Sequence, residues 1–260
     1  MRIGKQDAPF TAISTSDAES ITVRGYDLCG ALIGKIDFAD YFFLLMIGER
    51  PSEVQRFFVN ALLVAIAEHG LVPSVQAARM TLAAAPEALQ GAVAAGLLGS
   101  GSVVLGSADA AGRFLHGLVL EAQGGDARKI VANRLRQMRS AKTPVPGFGH
   151  PQHSDGDPRA NLLLDLAKQK GLDGPYLKML HTVAEVLPEA IGRTLPVNIN
   201  GVIPAILLEI GFPVTAMKSI SILARTAGLL AHLEEERQRP IGFVMSHAGS
   251  DAIRYDGKAS

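Results

Sequence analysis

The sequence is poor in cysteine and has no excess of charge of either sign. It contains no tryptophan and a single cysteine, Cys29, in 260 residues. One cysteine excludes an internal disulfide and suits a reducing compartment such as the cytoplasm. We predict Cys29 to be a small, buried apolar residue. Basic and acidic residues number 25 each, so the formal net charge is zero. This balance argues against general binding to nucleic acid or membrane surfaces, but it permits a local basic pocket.

Neither a leader nor a membrane span is expected. Residues 1–10 are mixed polar with no apolar stretch, so no secretory signal is predicted. Residues 88–108 carry no charge and are long enough to cross a bilayer. They include five glycines and three serines but few large apolar side chains. We therefore interpret this segment as buried helices joined by a glycine-rich connection.

Helical patterning covers most of the chain. Alanine and leucine dominate, which favours helix. Ser52 and Gln55 have the spacing of a capping box ahead of a periodic apolar run. Short β-like pieces are predicted within residues 11–35, with a turn at Arg24-Gly25-Tyr26. Further helices are predicted over 40–47, 73–84, from Pro86, over 107–140 with a break at Gly124-Gly125, from Arg159 and over 213–236, and the tail 240–260 is predicted to be irregular.

The patterning predicts an all-α fold with two parts. Residues 1–114 and 201–260 are assigned to a large helical domain. Residues 115–200, which include the longest non-helical stretch, are assigned to a smaller helical lobe. The few short β pieces lie near the N-terminus.

Three segments carry polar residues where helix propensity gives no reason for them. In the first, His69 ends an apolar helix within Glu68-His69-Gly70. A histidine there can simply complement the helix dipole. Alternatively, it is a neutral imidazole held at a loop and directed into a cleft. The residues alone leave both interpretations open.

The second segment is Pro146-Gly-Phe-Gly-His150-Pro-Gln-His153-Ser-Asp155-Gly-Asp157. Its histidines and aspartates are metal-ligating types, but they crowd into one loop without the i, i+4 pairing of a helical zinc motif. We therefore predict no metal site and instead one reactive histidine, His150. Glycines on both sides of Phe148 permit a tight backbone path there.

A helix is predicted to begin directly after this loop. Asp157 suits the N-cap and Pro158 suits the first helical position. Such a cap would hold Arg159 in the first turn, ready to bind a carboxylate with its fork of donors.

The third segment is Ala224-Arg225-Thr-Ala-Gly-Leu-Leu-Ala-His232. Arg225 lies among leucine and isoleucine, and an arginine in such surroundings needs an anionic partner. That partner is either an internal carboxylate or a carboxylate of a ligand. His232 is more typical of a helix end than of a catalyst.

Together these segments resemble the citrate synthase superfamily. The order and spacing of three blocks carry the resemblance: the helix-ending His69, Gly-Phe-Gly-His150 followed by Asp157-Pro-Arg159, and Ala-Arg225-Thr-x-Gly-x-x-Ala-His232. Arg239-Pro240 and Tyr255-x-Gly257 extend it, so it covers about residues 20–257. In its compactness the chain is similar to citryl-CoA lyase modules. The resemblance implies a citrate synthase-like fold, a homodimer, and an active site between a large and a small domain.

Roles for individual residues follow from the resemblance alone. It implies that His69 hydrogen-bonds the thioester carbonyl and stabilises its enol. His150 would contact the oxaloacetate carbonyl or the C3 hydroxyl of citryl-CoA. Arg159 and Arg225 would bind the citrate carboxylates.

The resemblance also implies partners. Arg239 and Arg254 are candidates for an arginine that reaches the active site of a partner subunit. The small molecules bound would be an acyl-CoA and citrate or oxaloacetate. Coenzyme A would enter as part of the substrate and no separate cofactor is expected. A separate ligase would be one source of the citryl thioester.

Two stretches depart from the family pattern. Where the family has a Pro-x-His-Gly-Gly or related glycine motif before the small domain, this chain reads Gly106-Ser107-Ala108-Asp109-Ala110, so that histidine is absent. Where the family has a catalytic aspartate, this chain reads Val-Asn-Ile-Asn200-Gly. An amide cannot exchange a proton as a carboxylate does, although it still donates a hydrogen bond. Loss of a base should impair proton abstraction from acetyl-CoA more than cleavage of citryl-CoA.

Three hypotheses about function follow. The first is cleavage of citryl-CoA, or of a related 3-hydroxy-3-carboxyacyl-CoA, to acetyl-CoA and oxaloacetate. The second is a citrate or alkylcitrate synthase-like condensing enzyme. The third is a catalytically impaired binding module, which the asparagine at position 200 favours.

Overall fold

The computed structural model describes residues 10–101, 107–149 and 156–258. Within them the chain forms eleven α-helices and one small sheet, so the predicted all-α class is confirmed. The helices are Phe38–Ile47 (α1), Glu53–Ala67 (α2), Pro73–Ala84 (α3), Leu89–Leu98 (α4), Ser107–Glu121 (α5), Ala127–Ser140 (α6), Pro158–Gln169 (α7), Pro175–Ile191 (α8), Ile199–Glu209 (α9), Met217–Gln238 (α10) and Gly242–Ala252 (α11).

The β pieces lie where they are predicted. Ser14–Ser16 (β1), Ile21–Val23 (β2) and Tyr26–Asp27 (β3) form an antiparallel sheet in the order β1-β2-β3. Arg24 and Gly25 both have positive φ, 49° and 82°, as a tight two-residue hairpin requires. The prediction for Cys29 is wrong. It lies in a π-helical turn, Leu28–Leu32, directly after β3, and it is exposed.

Local side-chain caps explain where four of the described helices, α2, α6, α7 and α9, begin. The Ser52 side chain accepts from the Gln55 N–H and the Gln55 side chain accepts from the Ser52 N–H, which confirms the capping box. Asp157 caps α7 and Pro158 is its first residue, as predicted. The predicted break at Gly124-Gly125 separates α5 from α6.

Two helix predictions are wrong. Helix α4 begins at Leu89, because residues 85–88 form a turn closed by the Ala88 N–H on the Ala85 carbonyl. The tail is not irregular, since α11 occupies Gly242–Ala252. The Glu236 carboxylate accepts the N–H groups of Ile241 and Gly242 at the start of α11. This cap comes from another helix, so the local sequence does not reveal it.

Helix α9 lies at the centre of the main hydrophobic core. Nine of its eleven residues are buried, as expected of a helix surrounded by others. It packs against α2, α5, α7 and α8. This core contains side chains from both predicted domains, and the division at residues 114 and 200 stays a prediction.

A second, smaller core joins α3, α4 and α10. A Cβ on Gly96 would lie 2.7 Å from Leu229 Cδ1 and 2.8 Å from the Ser74 carbonyl oxygen. The small residues of α4 therefore serve internal packing at this position. The segment Val214–Gln238 is long and apolar enough to cross a membrane by length and composition, a test that core helices also pass.

Candidate active site

One face of α10 carries the polar residues of the site. Arg225, Gly228, His232 and Glu236 follow at spacings of three and four, so they share a face. That face packs on α2 and α3. The approach is close, because a Cβ on Gly228 would lie 2.1 Å from the Ala67 carbonyl oxygen at the end of α2. Glycine at this position therefore lets α10 bring Arg225 and His232 to the α2 terminus.

Arg225 is a buried cation with no carboxylate bonded to it within the described residues. The residue is 3% exposed, and its Nη2 donates a 3.4 Å hydrogen bond to the Ile66 carbonyl. Its Nε and Nη1 have no partner in the described part of the chain. Burial lowers the pKa of Arg225, the nearby charge of Glu68 opposes this, and the charge of Arg159 adds to it. Because an unpaired buried charge is costly, this pattern is typical of an anion-binding site.

Arg159 lies close enough to Arg225 for its charge to lower the pKa of Arg225, but two of its guanidinium nitrogens are already hydrogen-bonded. Its Nε and Nη2 donate to the two oxygens of Asp157 at 3.0 and 2.9 Å. Burial raises the pKa of Asp157, but the hydrogen bonds and charge of Arg159 lower it further, so it is held below its ordinary value. Asp157 also accepts the Ile199 N–H at 3.3 Å. The prediction of a capped, well-held Arg159 is confirmed, and Asp157 uses Nε and Nη2 but not Nη1.

The glycine loop crosses the start of α9. The Asn198 N–H donates to the Gly147 carbonyl at 3.0 Å, and the Gly149 N–H donates to the Pro196 carbonyl at 2.8 Å. Gly147 has a φ of +85°, and a Cβ there would lie 2.6 Å from Gly201 Cα. The loop that leads to position 150 is therefore held against the residues around position 200. His150, His153 and Asp155 themselves lie outside the described residues.

Asn200 occupies the first turn of α9, beside this loop. It is half-buried, and its N–H donates to the Asn198 side chain at 2.9 Å. The Asn198 amide in turn donates to the Gly149 carbonyl. The backbone at Asn200 is thus tied through Asn198 to the residue that precedes His150.

His69 follows α2 in a pinned turn. Its N–H and that of Gly70 donate to Glu68 Oε1 at 2.8 and 2.5 Å, and the His69 side chain is exposed. Burial raises the pKa of Glu68, but His232 and these two N–H groups lower it further, so the carboxyl is held ionised. Since Glu68 acts electrostatically on Arg225, the His69 turn borders the anion site.

The two other predicted binding residues, Arg239 and Arg254, are not brought into this site within one chain. Arg239 and Arg254 are exposed, and their role across a subunit boundary stays a prediction. No cluster of three metal-ligating side chains occurs among residues 10–101, 107–149 and 156–258.

Two features went unrecognised in the sequence. Arg79, on α3, is 2% exposed and pairs with Glu236. Its position between the buried residues Val75, Ala78 and Leu82 was a usable signal. Three cations, Arg139, Lys142 and Arg193, line a cavity of about 400 Å³ beside the glycine loop. Basic and apolar residues alternate over residues 128–139, a pattern typical of a solvated helix face, so the sequence alone does not indicate this cavity.

A protein-family model and several curated proteins match this chain in sequence. A sequence model described as "Citrate synthase, C-terminal domain" matches residues 31–242. A citrate synthase from Heyndrickxia coagulans is 26% identical over 215 residues, which cover 78% of this chain and 53% of that protein. The citrate synthase-like protein oryE of Aspergillus oryzae is 27% identical over 216 residues, covering 76% and 45%. The chain spans about half the length of these curated relatives.

Solved structures extend the likeness. A citryl-CoA lyase from Hydrogenobacter thermophilus matches with a TM-score of 0.87 at 31% identity, covering 98% of this chain and 96% of that one. An ATP citrate lyase from Methanothrix soehngenii, solved in complex with citrate and coenzyme A, matches with a TM-score of 0.76 at 22% identity. That match covers 99% of this chain and 43% of that one. The citrate synthase-like fold predicted from the sequence is confirmed.

Proposed function

The chain belongs to the citrate synthase family, and from this premise we propose that it cleaves citryl-CoA, or a closely related 3-hydroxy-3-carboxyacyl-CoA, to acetyl-CoA and oxaloacetate. The observation that carries the choice is the match to a citryl-CoA lyase structure, with a TM-score of 0.87 at 31% identity. The match to a citryl-CoA lyase runs over nearly the whole of both chains, whereas the citrate synthases are matched over about half of theirs.

Arg225 and Arg159 support a substrate that carries several carboxylates. Arg225 offers Nε and Nη1, which have no partner in the described residues, and Arg159 keeps donors that Asp157 does not use. Citrate carries carboxylates that such forks bind through paired hydrogen bonds. A carboxylate bound at Arg225 would remove the cost of keeping that buried cation without an anionic partner.

The proposed cleavage needs three roles at the reacting atoms. A base takes the C3 hydroxyl proton, the bond between C2 and C3 breaks, and its electron pair forms the enolate of acetyl-CoA. His69 donates a hydrogen bond to the thioester oxygen where that charge develops. Water then gives a proton to C2 to form acetyl-CoA, and the base returns its proton to the hydroxide that is left. His150 contacts the C3 oxygen. Asn200 donates a hydrogen bond but removes no proton.

Coenzyme A brings phosphates that need cations. We assign them to the cavity lined by Arg139, Lys142 and Arg193. The same cavity is lined by Val145, directly before the Pro146-Gly147 turn, so it lies next to the loop that leads to His150. In a chain with no net charge, three cations around one cavity form a local attraction for an anionic ligand.

The test is release of oxaloacetate from citryl-CoA by purified protein, followed through malate dehydrogenase, with His150→Ala and Arg225→Met beside the wild type. Loss of release in both variants is expected. Condensation of acetyl-CoA with oxaloacetate at a rate matching the equilibrium constant would favour the synthase alternative instead. Binding of citrate or coenzyme A without turnover would favour the impaired binding module, which Asn200 supports, and would refute the proposal.

Assembly and location belong to the same proposal. A homodimer would allow Arg239 or Arg254 to enter the partner's site, and a separate ligase would supply the citryl thioester. The single exposed cysteine suits a reducing, cytoplasmic setting. Size-exclusion chromatography with light scattering tests the dimer directly.

A further inference from the structure

A chain of side-chain contacts runs from a buried ion pair to the His69 turn. Arg79 lies at its inner end. Its Nε donates to Glu236 Oε2 at 2.6 Å and its Nη1 to Glu235 Oε2 at 2.8 Å, while its Nη2 donates to the Arg239 carbonyl at 3.2 Å. Because all three of its guanidinium nitrogens donate hydrogen bonds and Arg79 is 2% exposed, this guanidinium is held in one place.

The fixed guanidinium determines the tautomer of His232. Arg79 Nη1 lies 3.3 Å from His232 Nδ1. A guanidinium has donors only, so Nδ1 must accept, and the ring proton of the neutral imidazole is on Nε2. That nitrogen lies 2.9 Å from Glu68 Oε2, with the N–H bent from the line between the two atoms. His232 therefore presents a donor to Glu68.

Glu68 transmits this contact to the backbone of the turn. One of its oxygens faces His232, and the other accepts the N–H groups of His69 and Gly70. A carboxylate held from two sides cannot rotate without breaking a hydrogen bond to the turn. Gly228 keeps the approach open, because a Cβ there would lie 3.1 Å from Glu68 Oε2.

We propose that His232 is a positioning residue: neutral and locked by Arg79, it holds Glu68 and thereby sets the place of the His69 imidazole. The inference rests on the proposed function, because it treats His69 as the donor to the thioester oxygen. His232 itself touches no substrate. The sequence pattern predicts a helix-end histidine, but His232 lies within α10, Met217–Gln238, and acts on the site through its neighbour.

Two conservative variants separate the two contacts of His232. In His232→Gln the amide nitrogen reaches about as far as Nε2 and can donate to Glu68. In His232→Asn the amide reaches only as far as Nδ1, so it can meet Arg79 but not Glu68. If His232 positions the turn, the glutamine variant recovers most of the loss seen in His232→Ala and the asparagine variant does not. His181→Gln, at an exposed position on α8, is the matched control.

The first readout is steady-state kinetics with citryl-CoA. A displacement of about 1 Å in a catalytic group can cost on the order of 100-fold, so kcat should fall about 10- to 100-fold in His232→Ala. KM should change little, because the arginines that bind the carboxylates are untouched. Equal activity of the asparagine and glutamine variants would overturn the proposal, and so would a loss confined to KM.

The second readout needs no turnover and separates this inference from the proposed function. Amide hydrogen exchange of His69 and Gly70 should accelerate at least about tenfold in His232→Ala and return towards wild type in His232→Gln. Unchanged exchange overturns the positioning role even if the enzyme is a lyase. If wild-type protein fails to cleave citryl-CoA, the proposed function falls, and the exchange result still decides whether His232 holds the turn. Thermal unfolding of each variant identifies any that has not folded.

Discussion

Replacing Arg225 should make the protein more stable while weakening its affinity for the substrate. Arg225 is 3% exposed, and Nε and Nη1 lack partners in the described residues. Methionine has a similar length and no charge, so Arg225→Met removes an uncompensated buried cation. Breaking a buried ion pair costs about 3–5 kcal/mol, largely because one charge is left unpaired. Relieving part of that penalty should raise the free energy of unfolding by about 1–3 kcal/mol.

The same substitution removes the partner of a substrate carboxylate. Truncating one member of a buried, hydrogen-bonded charge pair costs about 2–5 kcal/mol of binding. Citrate affinity should therefore fall from about 30-fold to several thousand-fold. Thermal unfolding measured with and without citrate reports both effects. The unliganded midpoint should rise by about 2–10 °C for a chain of this size, and the upward shift caused by citrate should vanish.

The exposed Arg128 provides the control. It pairs with Glu185 on the surface, where such a contact contributes only about 0–1 kcal/mol. Arg128→Met should change neither the unliganded midpoint nor the citrate shift appreciably. If Arg225→Met instead lowers the unliganded stability by more than about 1 kcal/mol, the guanidinium has an internal anionic partner, and Arg225 is not a binding residue for a ligand carboxylate.

Three further outcomes are expected. Gly228→Ala places a methyl group 2.1 Å from the Ala67 carbonyl oxygen. It should therefore destabilise the protein by about 1–3 kcal/mol and lower kcat. A urea unfolding midpoint equal to that of the wild type would contradict this. Burial raises the pKa of Glu236, but the hydrogen bonds from Arg79 and two N–H groups lower it further. The folded pKa is thus below the unfolded one, so the stabilisation is complete above about pH 4.5 and is lost as the pH falls through the folded value. Glu236→Gln should flatten this acid dependence in urea titrations between about pH 3 and pH 6, a range that spans the ordinary carboxyl pKa, and an unchanged slope would count against it. Asn200→Asp restores a proton acceptor beside the glycine loop and should raise condensation of acetyl-CoA by about 10²–10⁴-fold if the base alone is missing; no gain in the spectrophotometric assay would show that more than the base is absent.

Sequence reasoning succeeded where a structure depends on neighbours along the chain. The box at Ser52 and Gln55 and the cap at Asp157 are contacts over two or three residues, so the side chains that make them can be read directly. It failed for α11, whose first N–H groups are accepted by a carboxylate of the preceding helix. The prediction that Cys29 is buried also failed, because its exposure depends on which residues pack over the hairpin and not on the apolar character of its side chain.

The sequence by itself determined the helical class, most helix starts and the order of the motifs that identify the family, because all of these lie in local spacing. Only the tertiary structure decided what the polar residues do. Arg225 meets the end of α2, 159 residues away, and Arg79 meets Glu236, 157 residues away. Whether a buried charge is paired depends on such distant neighbours, since burial and partners are properties of packing. For that reason a histidine and a glutamate of no evident role form one connected support beneath the His69 turn.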